Sequence, residues 1–137
     1  MSGLPSNSEI HGETTMILEK ITPILRIFDV EKAKEFYVDF LGFKLDWEHR
    51  FDDQAPLYMQ VSKDSCVLHL SEHYGDCSPG AALRIQISDI EQYQVILLGK
   101  NYRYSRPQIQ NMPWGTRDMS ISDPFGNRLV LTTAIST

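Results

Sequence analysis

The chain is poor in cysteine, with only Cys66 and Cys77 among 137 residues. They have no CxxC spacing and no secretory signal pattern precedes them, so neither a disulfide framework nor a cysteine-based zinc site is expected. The expectation is a reduced, cytoplasmic protein. Long apolar runs are missing too: none approaches the ~20 residues that a membrane-spanning helix needs. Basic charge is also short, since 13 Lys and Arg stand against 18 Asp and Glu for a formal net charge of -5. That balance argues against the lysine- and arginine-rich surfaces that bind nucleic acid or anionic membranes. It selects no ligand by itself, because mild acidity serves solubility in many proteins.

With 42% hydrophobic residues, the chain is long enough for one domain with a real core and too short for two ordinary ones. Residues 1–20, MSGLPSNSEIHGETTMILEK, are polar at the start and read as a tail. Its distal part, from about Glu13, is expected to add a short helix or to pack on a neighbour, and His11 to be solvated. The domain then runs over residues 21–135.

Inside it a pattern occurs twice. In ITPILRIFDVEKAKEFYVDFLGF, Leu25 and Ile27 alternate with Ile24 and Arg26 as in a strand. Asp29 supplies an N-cap oxygen, and Ala33, Phe36, Tyr37, Phe40 and Leu41 fall at helical spacing until Gly42 closes the helix. Three strand-like runs follow: FKLDWEHRF, PLYMQVSKD and SCVLHLSEH. About sixty residues on, LRIQISDIEQYQVILLGKN repeats the opening. Asp89 takes the place of Asp29, and Ile90, Tyr93, Leu97 and Leu98 share a helix face. Strands are expected around Tyr104 to Ile109, Arg117 to Ser122 and Arg128 to Thr133. The last two are joined by the corner Asp123-Pro124-Phe125-Gly126-Asn127, in which the Asp123 side chain can cap the turn. The fold class is therefore α+β, two βαβββ modules over residues 21–75 and 82–135, with HYGDCSPGAA as the linker.

The segments LRIFDVEKAKEFYVDFLGF and WGTRDMSISDPFGNRLVL, in this order and spacing, resemble the vicinal oxygen chelate superfamily, which includes glyoxalase I and the bleomycin resistance proteins. The resemblance covers roughly residues 21 to 135. It implies that the modules curl into a cup whose concave face holds the ligand. In the metal-dependent members of that family, the first and last strands of each module carry the metal ligands. Strand parity puts Leu25, Ile27, Leu68, Leu70, Leu129 and Leu131 toward the helices, so their neighbours face the cup. The four carried-over ligand positions fall on Thr22, His69, Ala82 and Val130, of which only His69 can coordinate strongly. A transition metal in a catalytic site needs about three imidazole, thiolate or carboxylate ligands, so no metal and no cofactor is expected. Glu72 and His49 are the alternative partners for His69, provided a bulge near Ser71 corrects their parity.

Within the superfamily, MPWGTRDMSISDPFGNRL and GFKLDWEHRFDD are most similar to the bleomycin resistance proteins. That likeness implies a non-enzymatic homodimer that sequesters a small molecule, such as an antibiotic. The candidate ligand-binding residues are Trp114, Trp47, Phe51, His69, Tyr58, Arg26 and Arg84. Flat aromatic faces suit planar heterocycles, and Asp46, Glu48, Asp52 and Asp53 favour a positive ligand. Competing readings stand beside these. Trp47 shares the parity of Phe43 and Leu45 and so equally reads as core. Packing alone also accounts for Trp114, and inward arginines commonly pair with an acid such as Asp118. Either Tyr58 and Gln60 or Leu57 and Met59 line the cup. The alternative function is a metal-dependent lyase or isomerase related to glyoxalase I.

Overall fold

The computed structural model describes residues 15–135. Strand β1 (Ile24–Arg26) leads into helix α1 (Val30–Lys34), which continues as a π-helical stretch over Glu35–Phe40. Strands β2 (Lys44–His49), β3 (Tyr58–Lys63) and β4 (Cys66–Ser71) complete the first half. The second half consists of β5 (Ala82–Gln86), α2 (Ile90–Gly99), β6 (Ile109–Asn111), β7 (Thr116–Ser122) and β8 (Arg128–Ala134). Each half forms a four-stranded sheet, in the orders β1-β4-β3-β2 and β5-β8-β7-β6. In both, the first strand pairs parallel with the fourth and the rest pair antiparallel. The expected repeat is therefore a repeat of topology.

Local chemistry explains the equivalence of the helices. Asp29 Oδ1 accepts from Lys32 N–H at 2.9 Å, and Asp89 Oδ1 accepts from Gln92 N–H at 3.0 Å. Each carboxylate thus satisfies a donor that the first helical turn leaves free. The first helix ends differently. Leu41 N–H donates to Phe36 O at 2.9 Å, an i→i−5 bond that widens the turn. Phe36, Tyr37, Phe40 and Leu41 are all buried, and Gly42 reverses the chain at φ +85°.

One core joins both halves. It takes Leu25, Ile27, Met59, Val61, Leu68 and Leu70 from the first sheet and Met119, Ile121, Leu129 and Leu131 from the second, with the helices between. Polar rivets cross it. Tyr37 Oη donates to Asp123 Oδ2 at 2.7 Å, Tyr93 Oη donates to Leu41 O at 2.7 Å, and Asn127 Nδ2 donates to Arg26 O at 2.8 Å. Asp123 Oδ1 also accepts from Phe125 N–H and Asn127 N–H, each at 2.8 Å. The corner before β8 is thus capped by Asp123 as its sequence foretells, and it also ties the second half to β1 and the first helix.

One expectation fails in the chain's irregular parts, the extent of a strand. Residues 15–20 are exposed and form no helix, while His11 and the rest of residues 1–14 lie outside the described residues. The strand expected from Tyr104 to Ile109 is only Ile109–Asn111. Pro107 has no N–H to give a ladder, and Tyr102 O accepts from Ser105 N–H in a turn just before it.

Candidate functional site

In both sheets one face packs into the core and the other stays open. On the first sheet, pairing puts Ile24 opposite His69, His69 opposite Gln60, and Gln60 opposite Trp47, so all four share the open face. Met59 is fully buried, which places Tyr58 and Gln60 on the open side and settles the alternatives left by the sequence.

Trp47 reaches this face through an irregularity. Leu45 pairs with Val61 but Trp47 pairs with Gln60, so Asp46 is an extra residue, a β-bulge that shifts the parity of everything after it. The core reading of Trp47 is thereby overturned: its side chain stands 43% exposed. Its ring lies nearly parallel to Tyr58 (10°, centroids 6.0 Å) and edge-on to His69 at 5.4 Å.

Beneath these rings runs a directed chain of hydrogen bonds. Tyr58 Oη lies 2.7 Å from His69 Nδ1, His69 Nε2 lies 3.0 Å from Gln60 Oε1, and Gln60 Nε2 donates to Asp46 Oδ2 at 3.0 Å. With a neutral imidazole protonated on Nε2, every donor meets an acceptor. Hydrogen bonds from Gln60 and Ser62 hold the Asp46 carboxyl below its usual range, and burial lowers the pKa of His69.

Both nitrogens of His69 are therefore engaged. Of the other carried-over metal positions, Thr22 offers a hydroxyl, Ala82 a methyl and Val130 two methyls, with Val130 almost wholly covered. Glu72 does not join His69, since its Oε1 accepts from Leu57 N–H at 2.9 Å and faces Arg50. Among the described residues no group of three or more His, Cys, Asp or Glu side chains is placed to hold a metal ion. The donor set does not fit the family's metal.

Phe51 is 90% exposed and meets His49 edge-on at 5.0 Å. With Trp47, Tyr58 and Pro56 it lines a recess of about 530 Å³ at the end of the first sheet. Arg26 shares the parity of Ile24, but its guanidinium lies 4.5 Å from the centroid of Phe28 and its Nε donates to Ile27 O at 3.3 Å.

The second sheet carries a larger groove of about 880 Å³, bordered by Arg84, Trp114, Asp118, Arg128 and Val130. Trp114 is 63% exposed at the tip of the β6–β7 turn, where Met112 O accepts from Gly115 N–H at 3.0 Å and Gly115 has φ +100°. It therefore lies in a different groove from Trp47 and Tyr58. Arg84 forks onto Asp118 through two 3.2 Å bonds, and Thr132 and Thr116 hydroxyls donate to Asp118 Oδ1 at 2.7 and 2.9 Å. Desolvation pushes the Asp118 pKa up, but these donors outweigh it and the net shift is downward. The sequence anticipates the Arg84–Asp118 pair and misses the threonine hydroxyls, although their alternation with Asp118 and Val130 is visible.

Two βαβββ modules with one open face each, joined through a shared core, define a protein of the vicinal oxygen chelate fold. The chain belongs to the glyoxalase superfamily: a family model described as "Glyoxalase superfamily protein" matches residues 6–136. No curated protein matches it. Among solved structures it is similar to a bleomycin-binding protein from bleomycin-producing Streptomyces verticillus, complexed with copper(II)-bleomycin. That pair is 22% identical, covers 90% of this chain and 100% of the other, and has a TM-score of 0.63. It is also similar to TnmS3, an antibiotic binding protein from Streptomyces sp. CB03234 (24% identity, 88% and 99% coverage, TM-score 0.65). A glyoxalase-related enzyme from Clostridium phytofermentans has the same fold (18% identity, 90% and 100% coverage, TM-score 0.69).

Proposed function

We propose that the protein is a non-enzymatic, homodimeric small-molecule binder of the bleomycin-resistance type, which sequesters an antibiotic or a similar ligand. The observation that carries this reading is the parallel Trp47–Tyr58 pair, exposed on an open sheet face over a fully hydrogen-bonded His69. Stacked planes of this kind contribute most where a flat ligand displaces water from them. A histidine with both nitrogens engaged serves as a floor for such a ligand, while neither nitrogen is free to ligate a metal. The antibiotic-binding proteins of the same fold support the ligand class.

Trp47 and Trp114 line separate grooves within one chain. A second copy that apposed its β5–β8 face to the β1–β4 face of the first would enclose a ligand on both sides. The homodimer therefore completes the pocket in this reading, and sedimentation velocity at micromolar concentration should give a two-chain species.

Trp47 and Trp114 are the only tryptophans, so intrinsic fluorescence reports on both grooves. Titration with bleomycin, phleomycin and a panel of planar drugs should give saturable quenching at micromolar ligand, with matching calorimetric heat. Silence across the panel removes the binding reading, and a stoichiometric transition metal in protein purified without chelator replaces it with metal-dependent lyase or isomerase chemistry.

A further inference from the structure

The groove on the second sheet has a charge that the whole chain does not. Three guanidiniums border it, from Arg84, Arg106 and Arg128, against the single carboxylate of Asp118. That carboxylate is already occupied by Arg84, Thr132 and Thr116. Among the described residues no carboxylate lies within ion-pair distance of Arg106 or Arg128, and both residues are exposed. A protein of net charge -5 thus presents a local positive field in this groove. Such a field in a concavity concentrates anions.

The same groove holds two flat side chains, Trp114 at the β6–β7 tip and Tyr104 in the loop before β6, which are 63% and 66% exposed. Guanidinium groups flanking aromatic planes match a ligand that is itself flat and carries a carboxylate, sulfonate or phosphate. The planar part stacks and the anionic part accepts charge-assisted hydrogen bonds. The groove is also within the size range of drug-sized ligand pockets.

We propose that the β5–β8 groove binds the anionic end of a planar aromatic ligand, with Arg106 and Arg128 taking the charge and Trp114 the ring. This rests on the small-molecule-binding reading above and names its ligand class: an aromatic acid, in place of the cationic ligand that Asp46, Glu48, Asp52 and Asp53 suggest from sequence. Asp46 points the other way only on paper, since its carboxylate is tied to Gln60 on the first sheet.

Three probes of nearly equal shape separate the cases: 2-naphthoate, 2-naphthamide and 2-naphthylmethylamine, titrated by tryptophan fluorescence and calorimetry. The expected order is naphthoate tightest, about tenfold or more over the amide, with that advantage shrinking at high salt as screening predicts. The double variant Arg106→Gln/Arg128→Gln should erase the advantage, bringing naphthoate down to the level of the amide, with the melting temperature unchanged because both side chains are exposed. Equal binding of the three, preference for the amine, retention of the naphthoate preference in the double variant, or no binding of any probe overturns the proposal. The drug titration reads the broader binding function independently: saturable drug binding together with a failed naphthoate preference discards the anionic ligand class alone.

Discussion

Tyr37 and Asp123, 86 positions apart in sequence, share a 2.7 Å hydrogen bond in the buried seam between the two halves. Burial first, and the Asp123 charge second, push the tyrosine pKa far up, so its hydroxyl keeps its proton and remains a donor across the accessible pH range. Tyr37→Phe removes that donor and little volume. The remaining donors to Asp123 are two backbone N–H groups and Asn127 Nδ2. The expected loss is about 1–3 kcal/mol in urea unfolding, the usual cost of leaving a buried polar group short of a partner. A loss indistinguishable from zero contradicts the importance of this rivet.

Trp47→Ala tests the bulge. An indole on the open face contributes about 1 kcal/mol through its pairing with Tyr58, so unfolding should change by about that much while ligand binding drops steeply. A loss near the ~3–5 kcal/mol expected of a core tryptophan would return Trp47 to the interior.

His69 gives stability a dependence on pH. Burial holds its folded pKa below the ordinary 6.5, so between the two values the unfolded chain binds a proton that the folded chain refuses. The contribution is therefore complete above about pH 6.5 and declines as pH falls through that value toward the lowered one. Protonation also puts a hydrogen on Nδ1, where Tyr58 Oη now donates. Urea midpoints at pH 7.5 and 5.5 should fall more in wild type than in His69→Gln. Equal falls in the two proteins refute the assignment.

Asp118 acts at lower pH with the opposite shift origin. Its pKa is depressed on balance, so its contribution is present above the ordinary carboxylate value near 3.8 and is lost as pH falls through the folded value. Asp118→Asn should lower the melting temperature by a few degrees at pH 7 and flatten the acid limb of the stability curve. An unchanged melting temperature at pH 7 would mean that the Arg84 fork and its threonines contribute nothing.

The sequence displays the repeat plainly because both halves obey the same local rules. Asp29 and Asp89 are N-caps that any reader of side-chain chemistry can place, and the buried leucines at positions 25, 68, 70, 97, 129 and 131 follow from periods of two and 3.6. The site is less legible. An inserted residue leaves no compositional trace, so Asp46 hides the true direction of Trp47, and with it the ring pair that dominates the open face. Arg26 obeys strand parity at its backbone, yet its long side chain folds onto Phe28, a choice made by packing beyond the strand. The Tyr104 loop fails as a strand because Pro107 interrupts the ladder, and that failure leaves Tyr104 and Arg106 on the groove.

The surplus residue at position 46 lets Leu45 and Trp47, two positions apart on one strand, face opposite sides of the sheet. Deleting it while keeping every other side chain would restore an unbroken ladder with Trp47 still opposite Gln60, so the indole would stay outward and only the carboxylate that holds Gln60 would be lost. Loss of that single codon would thus cost the open face an acid and leave its aromatic rings in place.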